Sequence, residues 1–181
     1  MMTGPSGVGK STLVRRVQED LPDVRFSVSC TTRPPRTGEV EGKDYFFVEK
    51  AAFEERLARG DFLEHAEVHG NFYGTLREHV MLEVAQGAVM LLDIDVQGAE
   101  QVRAAGVDAS YLFVLPPSFE VLESRLRGRA TDAADVIERR LKTARLEVDQ
   151  AQLFEYQITN DDLERAAGEF VGLIETLRNR N

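Results

Sequence analysis

Eight residues near the start of the chain constrain its fold more than any other feature. Residues 4–11 are Gly-Pro-Ser-Gly-Val-Gly-Lys-Ser and match the pattern G-x-x-x-x-G-K-[ST] at every fixed position. In this pattern backbone N–H groups surround phosphate oxygens, the lysine reaches the outer phosphates and the hydroxyl binds Mg²⁺. An ordinary glycine-rich turn is the alternative, but the amphipathic helix that follows favours an anion-binding loop. The sequence therefore predicts a phosphate loop, with Lys10 and Ser11 in those two roles.

Helical and strand-like patterns alternate along most of the chain, which predicts an α/β fold with a largely parallel sheet. We predict strands at residues 24–30, 44–48, 62–68, 88–93, 110–115 and 154–159. We predict helices at residues 11–21, 50–59, 75–86, 97–105, 118–127 and about 133–152, and a final helix capped by Asp161 or Asp162. Residues 30–85 break the regular alternation, which indicates an insertion on the core.

Composition and charge exclude several classes of protein. With 181 residues and 43% hydrophobic content the chain can bury a core, unlike a disordered chain. The net charge of −9 opposes non-specific binding to a nucleic-acid polymer or an anionic membrane. No apolar run is long enough to span a bilayer, and nothing in residues 1–4 suggests secretion. The lone Cys30 cannot form an internal disulfide, which favours a cytoplasmic location.

The phosphate loop and several later motifs resemble those of guanylate kinases, a group of nucleoside monophosphate kinases, and occur in the same order along the chain as in that family. These motifs are residues 4–12, 27–36, 42–45, 62–64, 73–75 and 92–98. The resemblance covers essentially the whole chain and implies an α/β P-loop kinase fold with a parallel-sheet core at about residues 1–29, 86–124 and 142–181. It also implies an inserted mixed α+β GMP-binding subdomain at about residues 30–85 and a helical lid at about 125–141. The implied reaction is ATP + GMP = ADP + GDP with Mg²⁺, a step of purine nucleotide metabolism and GMP recycling.

The resemblance assigns ATP binding to one continuous segment and the metal to two oxygen ligands. The ATP-binding residues are Gly4, Pro5, Ser6, Gly7, Val8, Gly9, Lys10, Ser11 and Thr12. Ser11 and Asp93 are expected to hold Mg²⁺, and Lys10 is expected to be catalytic. Asp95 lies two residues after Asp93 and points to the same side if the strand continues. The residues alone do not separate the roles of the two carboxylates; we weight Asp93 towards the metal and Asp95 towards guanine.

A phosphate dianion is well matched by a pair of arginines on a stiff loop. Arg33 and Arg36 lie on such a loop, which contains two prolines, although a solvated surface loop is the alternative. By the resemblance, Tyr45 and Tyr73 add hydroxyl donors to the GMP phosphate. Core packing with an exposed hydroxyl is the alternative for each tyrosine.

Guanine presents two adjacent donors, N1–H and the 2-amino group, and the acceptors O6 and N7. A carboxylate matches the donor pair and hydroxyls match the acceptors. The resemblance implies Glu64 as the carboxylate, Ser29 and Thr75 as the hydroxyls, and Asp95 nearby. Adenine would leave a buried carboxylate unpaired, and such sites discriminate by about 10⁴ to 10⁵.

Five arginines crowd the two helices around Gly128, and the resemblance places some of them on the transferring phosphoryl group. They are Arg125, Arg127, Arg129, Arg139 and Arg140. We favour Arg129 and Arg140 as catalytic residues and give Arg125 less weight. Some of the five must be ordinary helix-surface charges. Electrostatic clamping is the main task, because phosphoryl transfer needs little covalent help from a protein.

Two other functions stay open from sequence alone. One is a non-catalytic guanylate-kinase-like binding module, a class that has lost the phosphate loop; the intact loop here opposes it. The other is a kinase of related fold that acts on another small phosphorylated substrate. The choice between monomer and homo-oligomer, and the use of dGMP, also stay open. The three histidines lack metal-ligand spacing.

The chain begins only three residues before the phosphate loop, where a buried strand is expected. If this central strand were missing, two rows of backbone groups inside the sheet would be left unpaired, at about 1–3 kcal/mol for each buried group. We therefore expect the natural protein to begin several residues upstream with an apolar, β-branched run.

Overall fold

The computed structural model describes residues 1–68, 70–128 and 134–180. Contacts divide the chain into two compact units, one formed by Met1–Asp23 with Ser110–Asn181 and the other by Val24–Ala109. Residues 24–29 and 86–109, which we assign to the core, group with the second unit by this measure, and the three-part division stays a prediction. In the described ranges no helix is both long and apolar enough to cross a membrane.

The elements follow one another with the alternation that the sequence predicts. The strands are β1 (Met2–Thr3), β2 (Val24–Phe26), β3 (Cys30–Thr31), β4 (Phe46–Phe47), β5 (Phe62–Val68), β6 (Asn71–Leu76), β7 (Val89–Leu91), β8 (Leu112–Leu115) and β9 (Tyr156–Thr159). The helices are α1 (Lys10–Asp20), α2 (Lys50–Arg59), α3 (Arg77–Ala85), α4 (Val96–Ala104), α5 (Phe119–Gly128), α6 (Ala134–Asp149) and α7 (Leu163–Arg178), with a short 3₁₀ helix at Ala151–Leu153.

The first unit contains a parallel sheet in the order β1-β8-β9. Met2 and Thr3, which precede the phosphate loop, form a two-residue strand that pairs with Leu112 and Phe113 of β8. Helix α1 packs against α7 through its apolar face, and Asp162 caps α7 by accepting a hydrogen bond from the backbone N–H of Arg165. The sheet therefore carries the phosphate loop at the carboxyl end of β1.

The second unit contains two sheets, a parallel pair β2-β7 and a mixed sheet in the order β4-β3-β6-β5. The prediction of one strand over residues 24–30 is wrong, because the chain leaves one sheet after Phe26 and enters the other at Cys30. An apolar run with strand propensity does not reveal which sheet each half joins, since that depends on distant partners.

The sequence missed strand β6, which pairs antiparallel with β5. The predicted helix over residues 75–86 begins at Arg77 instead. Gly74 hides the strand pattern because glycine weakens strands. A Cβ there would lie 2.8 Å from the ring of Phe62, so packing requires the glycine.

An aromatic cluster holds α2 against the mixed sheet. Phe53 of α2 is fully buried and stacks on Phe62 at 4.4 Å and on Phe72 at 5.5 Å between ring centroids. Cys30 belongs to the same cluster. Because buried aromatic rings contribute large apolar areas, we expect this cluster to stabilise the mixed sheet.

We predict that Phe53→Ala lowers the free energy of unfolding by about 3–5 kcal/mol, because it leaves a large cavity among the stacked rings. Urea unfolding monitored by circular dichroism measures the change. Leu82→Ala on α3 is the control: its side chain is exposed, so a change within about 0.5 kcal/mol is expected. Equal effects of the two substitutions would show that the cluster does not stabilise this unit.

Candidate active site

The phosphate loop of the first unit joins β1 to α1 in a tight wrapped path. The backbone N–H of Val8 donates to the Pro5 carbonyl at 3.1 Å. Gly9 ends the loop with φ +103°, a conformation that L side chains rarely adopt. A Cβ at Gly9 would also lie 2.5 Å from Asn160 Nδ2. Both the backbone angle and the available space therefore require glycine at this position.

Two side chains hold the middle of the loop through the carbonyl of Val8. Asn160 Nδ2 donates to this carbonyl at 2.8 Å and Arg125 Nη1 donates at 3.1 Å. Arg125 Nη2 also donates to the Asn160 carbonyl at 3.1 Å. These bonds tie the loop to the residue that follows β9. Sequence reasoning missed Asn160, although a polar residue directly after a buried parallel strand is a signal for a binding edge.

The helix α1 begins with the chemically important part of the motif. Lys10 Nζ donates to the Gly4 carbonyl at 2.5 Å, which folds the lysine back over the loop. Ser11 and Thr12 are exposed in the first turn. No side chain caps this helix, because its N-cap residue is Gly9. The first-turn N–H groups and the positive end of the helix dipole are suited to an anion.

The structure separates the arginines near Gly128 by their partners. Arg127 pairs with Glu123 at 2.7 Å and Arg139 with Asp135 at 3.1 Å, both as exposed ion pairs one helical turn apart. Arg140 lies half-buried in α6, and Arg125 contacts the phosphate loop. Arg129 lies outside the described residues. Arg127 and Arg139 are therefore the helix-surface charges, as such exposed pairs contribute little.

In the second unit, a salt bridge orders the arginine loop. Arg33 Nη2 lies 2.8 and 3.0 Å from the two carboxylate oxygens of Glu39, and the backbone N–H of Arg36 donates to the same carboxylate at 2.7 Å. Arg33 Nη1 also donates to the Pro34 carbonyl at 2.7 Å. Sequence reasoning missed Glu39. The salt bridge holds Arg33 in a defined position while the Arg36 side chain stays exposed.

Aromatic rings pack beside Arg33. Its guanidinium lies 5.5 Å from the centroid of the Tyr45 ring, and the Tyr45 and Tyr73 rings make an edge-to-face contact at 5.9 Å. Burial, together with the nearby Asp93 carboxylate, raises the pKa of Tyr45. Its hydroxyl therefore keeps its proton at neutral pH and can donate a hydrogen bond. The structure brings Arg33, Tyr45 and Tyr73 together.

Glu64 is a buried carboxylate in the middle of a strand. A β-bulge between Phe62 and Glu64 sets Glu64 opposite Thr75, and bulges commonly re-aim side chains beside active sites. The residue is only 5% exposed. Thr75 Oγ1 donates to Glu64 Oε1 at 2.5 Å, and Ser29 Oγ lies 3.4 Å from Thr75 Oγ1. The three predicted guanine-binding side chains thus form one polar chain, in which the Thr75 proton serves the carboxylate.

Burial raises the pKa of Glu64 to about 7. The carboxylates of Asp95 and Asp93 raise it further, while hydrogen bonds from Thr75 oppose the shift. A carboxyl group with a pKa near 7 is stable in its ionised form only when hydrogen-bond donors or positive charges contact it. Perturbed carboxyl groups of this kind are concentrated at functional sites.

Asp95 has a structural role that the sequence did not reveal. It caps α4, where its Oδ1 accepts a hydrogen bond from the backbone N–H of Gly98 at 2.7 Å.

Asp93 lies two residues earlier and is half-buried. The hydroxyl of Ser11 and the carboxylate of Asp93 are hard oxygen ligands of the type that Mg²⁺ accepts. Among residues 1–68, 70–128 and 134–180 no group of three His, Cys, Asp or Glu side chains could hold a metal. Mg²⁺ commonly uses one or two protein ligands with substrate phosphates, so the donor set fits it.

We predict that the contribution of Glu64 to wild-type stability falls as the pH rises from about 4.5 to about 7, because the folded state keeps a Glu64 proton that the unfolded state has lost. Glu64→Gln removes this loss, so the variant should gain on the order of 3 kcal/mol relative to wild type between pH 4 and pH 8. Urea unfolding at each pH measures it. Glu67→Gln, at an exposed position of the same strand, should leave the pH dependence unchanged. A wild-type curve that matches Glu64→Gln would contradict the shift.

Comparisons with known proteins agree with this geometry. A family model described as guanylate kinase matches residues 1–177. A guanylate kinase from a Nostoc species is 51% identical over 166 residues, which make up 92% of this chain and 83% of the relative. The crystal structure of a guanylate kinase from Anaplasma phagocytophilum has a TM-score of 0.78 at 35% identity and covers 98% of this chain and 84% of its own. A shikimate kinase from Bacteroides thetaiotaomicron, at 17% identity and a TM-score of 0.52 over 96% of each chain, shares the fold alone.

These matches confirm the predicted P-loop kinase fold. They extend over nearly the whole chain, and the identity to the Nostoc relative is far above the level at which only a fold is shared. The chain belongs to the guanylate kinase family.

Proposed function

We propose that the protein transfers the γ-phosphoryl group of ATP to GMP and releases ADP and GDP. The names of its relatives state this activity, and the family match covers residues 1–177. The observation that carries the proposal is the buried Glu64, a carboxylate with a neighbouring hydroxyl chain in a guanylate kinase fold. A phosphate loop and a base-reading carboxylate are the two chemical requirements of the reaction.

Glu64 supplies the selectivity for guanine. Its carboxylate accepts hydrogen bonds from N1–H and the 2-amino group, which together replace the water lost on burial. Adenine has an acceptor at N1 and no 2-amino group, so it leaves the carboxylate unpaired. The Ser29 hydroxyl serves the acceptor side of the base, and the Thr75 hydroxyl joins it by turning its proton from Glu64 to the base once the guanine donors satisfy the carboxylate. Asp95 lies at the start of α4.

The phosphate of GMP is bound by the loop that Glu39 orders. Arg33 is held by the salt bridge before any substrate binds, so little freedom is lost when it contacts the phosphate. Arg36 adds a second positive charge, and the Tyr45 and Tyr73 hydroxyls add donors. This local cluster overcomes the average repulsion of an acidic chain, because short-range contacts dominate over the screened net charge.

ATP is bound by residues 4–12 through backbone N–H groups and Lys10. On nucleotide binding Lys10 exchanges the Gly4 carbonyl for the outer phosphates. Ser11 and Asp93 would hold Mg²⁺, which would supply positive charge against the phosphate groups. The attacking oxygen of GMP is already ionised near neutral pH, so the protein needs no general base.

Arg129 and Arg140 stabilise the charge of the transferring group. Charge spreads over the equatorial oxygens during in-line transfer, and arginines match that distribution. Arg125 supports the ATP-binding loop instead, because its guanidinium donates a hydrogen bond to the carbonyl of Val8. We place the reaction in the cytoplasm, in purine nucleotide metabolism, where the free buried Cys30 is compatible with a reducing environment.

Two other functions are less well supported. A binding module without catalysis does not need the complete loop with Lys10 folded over it. A kinase for another small phosphorylated substrate does not need a buried carboxylate beside two hydroxyls, and fold alone does not decide between such kinases.

A nucleotide panel tests the proposal. With ATP and Mg²⁺, we expect ADP release with GMP to exceed that with AMP, CMP and UMP by about 10⁴-fold in kcat/KM. Glu64→Gln should reduce the preference for GMP over AMP, because an amide offers guanine one acceptor and a misplaced donor. Phosphorylation of another nucleotide in preference to GMP would reject the proposed substrate.

We predict that Lys10→Ala reduces kcat/KM by at least about 10³-fold while the melting temperature stays near that of wild type, since Lys10 serves phosphate and not the core. Arg15→Ala is the matched control, because it removes an exposed positive charge from the same helix. A coupled assay and a thermal melt measure the two effects. Wild-type activity in Lys10→Ala would reject the assignment of the loop.

A further inference from the structure

One side chain of α4 locks this helix to strand β5 beside Glu64. Gln101 Nε2 donates to the carbonyl of His65 at 2.7 Å, and Gln101 Oε1 accepts from the backbone N–H of His65 at 3.0 Å. The amide thus pairs with both backbone groups of the residue that follows Glu64, in the way that a neighbouring strand would. The distance between α4 and this part of β5 is set by these two bonds.

Gly98 lies one helical turn before Gln101 and is buried. A Cβ at this position would lie 2.6 Å from Glu64 Oε2, 3.2 Å from Glu64 Cδ and 3.3 Å from Asp95 Oδ1. A contact below 3.0 Å cannot be accommodated without movement. The carboxylate therefore occupies the volume that any other residue at position 98 would fill.

We infer that Gly98 and Gln101 are positioning residues that set the specificity for guanine. Gly98 leaves room for the Glu64 carboxylate over the first turn of α4, and Gln101 keeps the helix at the distance where only glycine fits. The inference deepens the proposed function and rests on it, because it assigns the reading of the base to Glu64.

The effect of a methyl group at position 98 depends on whether the helix α4 or the Glu64 side chain moves to make room for it. The helix is held against β5 by the two hydrogen bonds of Gln101, and the Asp95 cap fixes the shape of its first turn. The obstructing atom is Oε2, at the far end of a flexible side chain, which can rotate without unfolding the strand. Gly98→Ala therefore moves the carboxylate and leaves the fold intact, so the defect appears in base recognition.

The experiment compares Gly98→Ala with Gly172→Ala. Gly172 lies in helix α7, where a Cβ would meet nothing within 4 Å. GMP and IMP are the probes, because IMP has the same base edge without the 2-amino group. For each variant, KM and kcat are measured with GMP, IMP and ATP, together with the melting temperature.

We expect wild type to prefer GMP over IMP by roughly 10- to 100-fold, the effect of one hydrogen bond to a charged group. Gly98→Ala should bring this ratio to within about 3-fold through a higher KM for GMP, with KM for ATP unchanged. Gly172→Ala should keep the wild-type ratio and raise the melting temperature by about 2–4 °C, since alanine is the better helix former.

Gln101→Ala tests the same contact between α4 and β5 by removing its two hydrogen bonds, without adding an atom beside Glu64. It should raise KM for GMP more than KM for IMP, and Gly98→Ala made in that background should cost less than in wild type, because α4 can then retreat. This variant keeps the inference testable if Gly98→Ala does not fold.

The remaining outcomes are distinguishable. A wild-type GMP/IMP ratio in Gly98→Ala would overturn the inference and leave the proposed function standing. Equal losses with GMP, IMP and ATP would show a general structural defect and would also overturn it. Failure of wild type to phosphorylate GMP would overturn the proposed function itself, whatever the variants do.

Discussion

The burial of one carboxylate is the constraint on which the second unit depends. Glu64 loses most of its water, and the surrounding structure supplies only partial compensation through Thr75. A buried charge without full pairing is costly, so its pKa rises to about 7. The protein thus keeps a buried acceptor that its own hydrogen-bond donors stabilise only in part. The bulge in β5, the register with β6 and the approach of α4 all serve to place this group.

The first unit solves a different problem, the binding of phosphate by an acidic chain. A net charge of −9 repels polyphosphate at long range, so binding must come from contacts at short range. Backbone N–H groups at the start of α1 provide such contacts without adding net charge. Their geometry depends on the Val8 carbonyl, which accepts hydrogen bonds from Asn160 and Arg125. In the second unit, Glu39 has a comparable role, since it holds Arg33 in place.

The candidate site residues that the sequence itself singles out share one property: each belongs to a short local motif. Residues 4–11 predict the phosphate loop because glycine, lysine and serine must occur at fixed spacing for a backbone to wrap around phosphate. Arg33 and Arg36 stand out for a similar reason. Glu64 did not stand out by itself, since a glutamate in a strand is usually exposed; only the resemblance to a family singled it out. Asn160, Glu39 and Gln101 carry no local pattern and were missed.

The sequence by itself determined the α/β class, the phosphate loop and most helices, because these depend on periodicity and on nearby residues. It did not determine that residues 24–30 divide between two sheets or that residues 71–76 form a strand, because strand pairing is decided by partners far along the chain. Gly98 could not be recognised from the sequence for the same reason, because its neighbour Glu64 lies far from it along the chain. Its sequence position marks a helical glycine like Gly172, and only the tertiary structure, which brings the Glu64 carboxylate against it, separates a required glycine from a replaceable one.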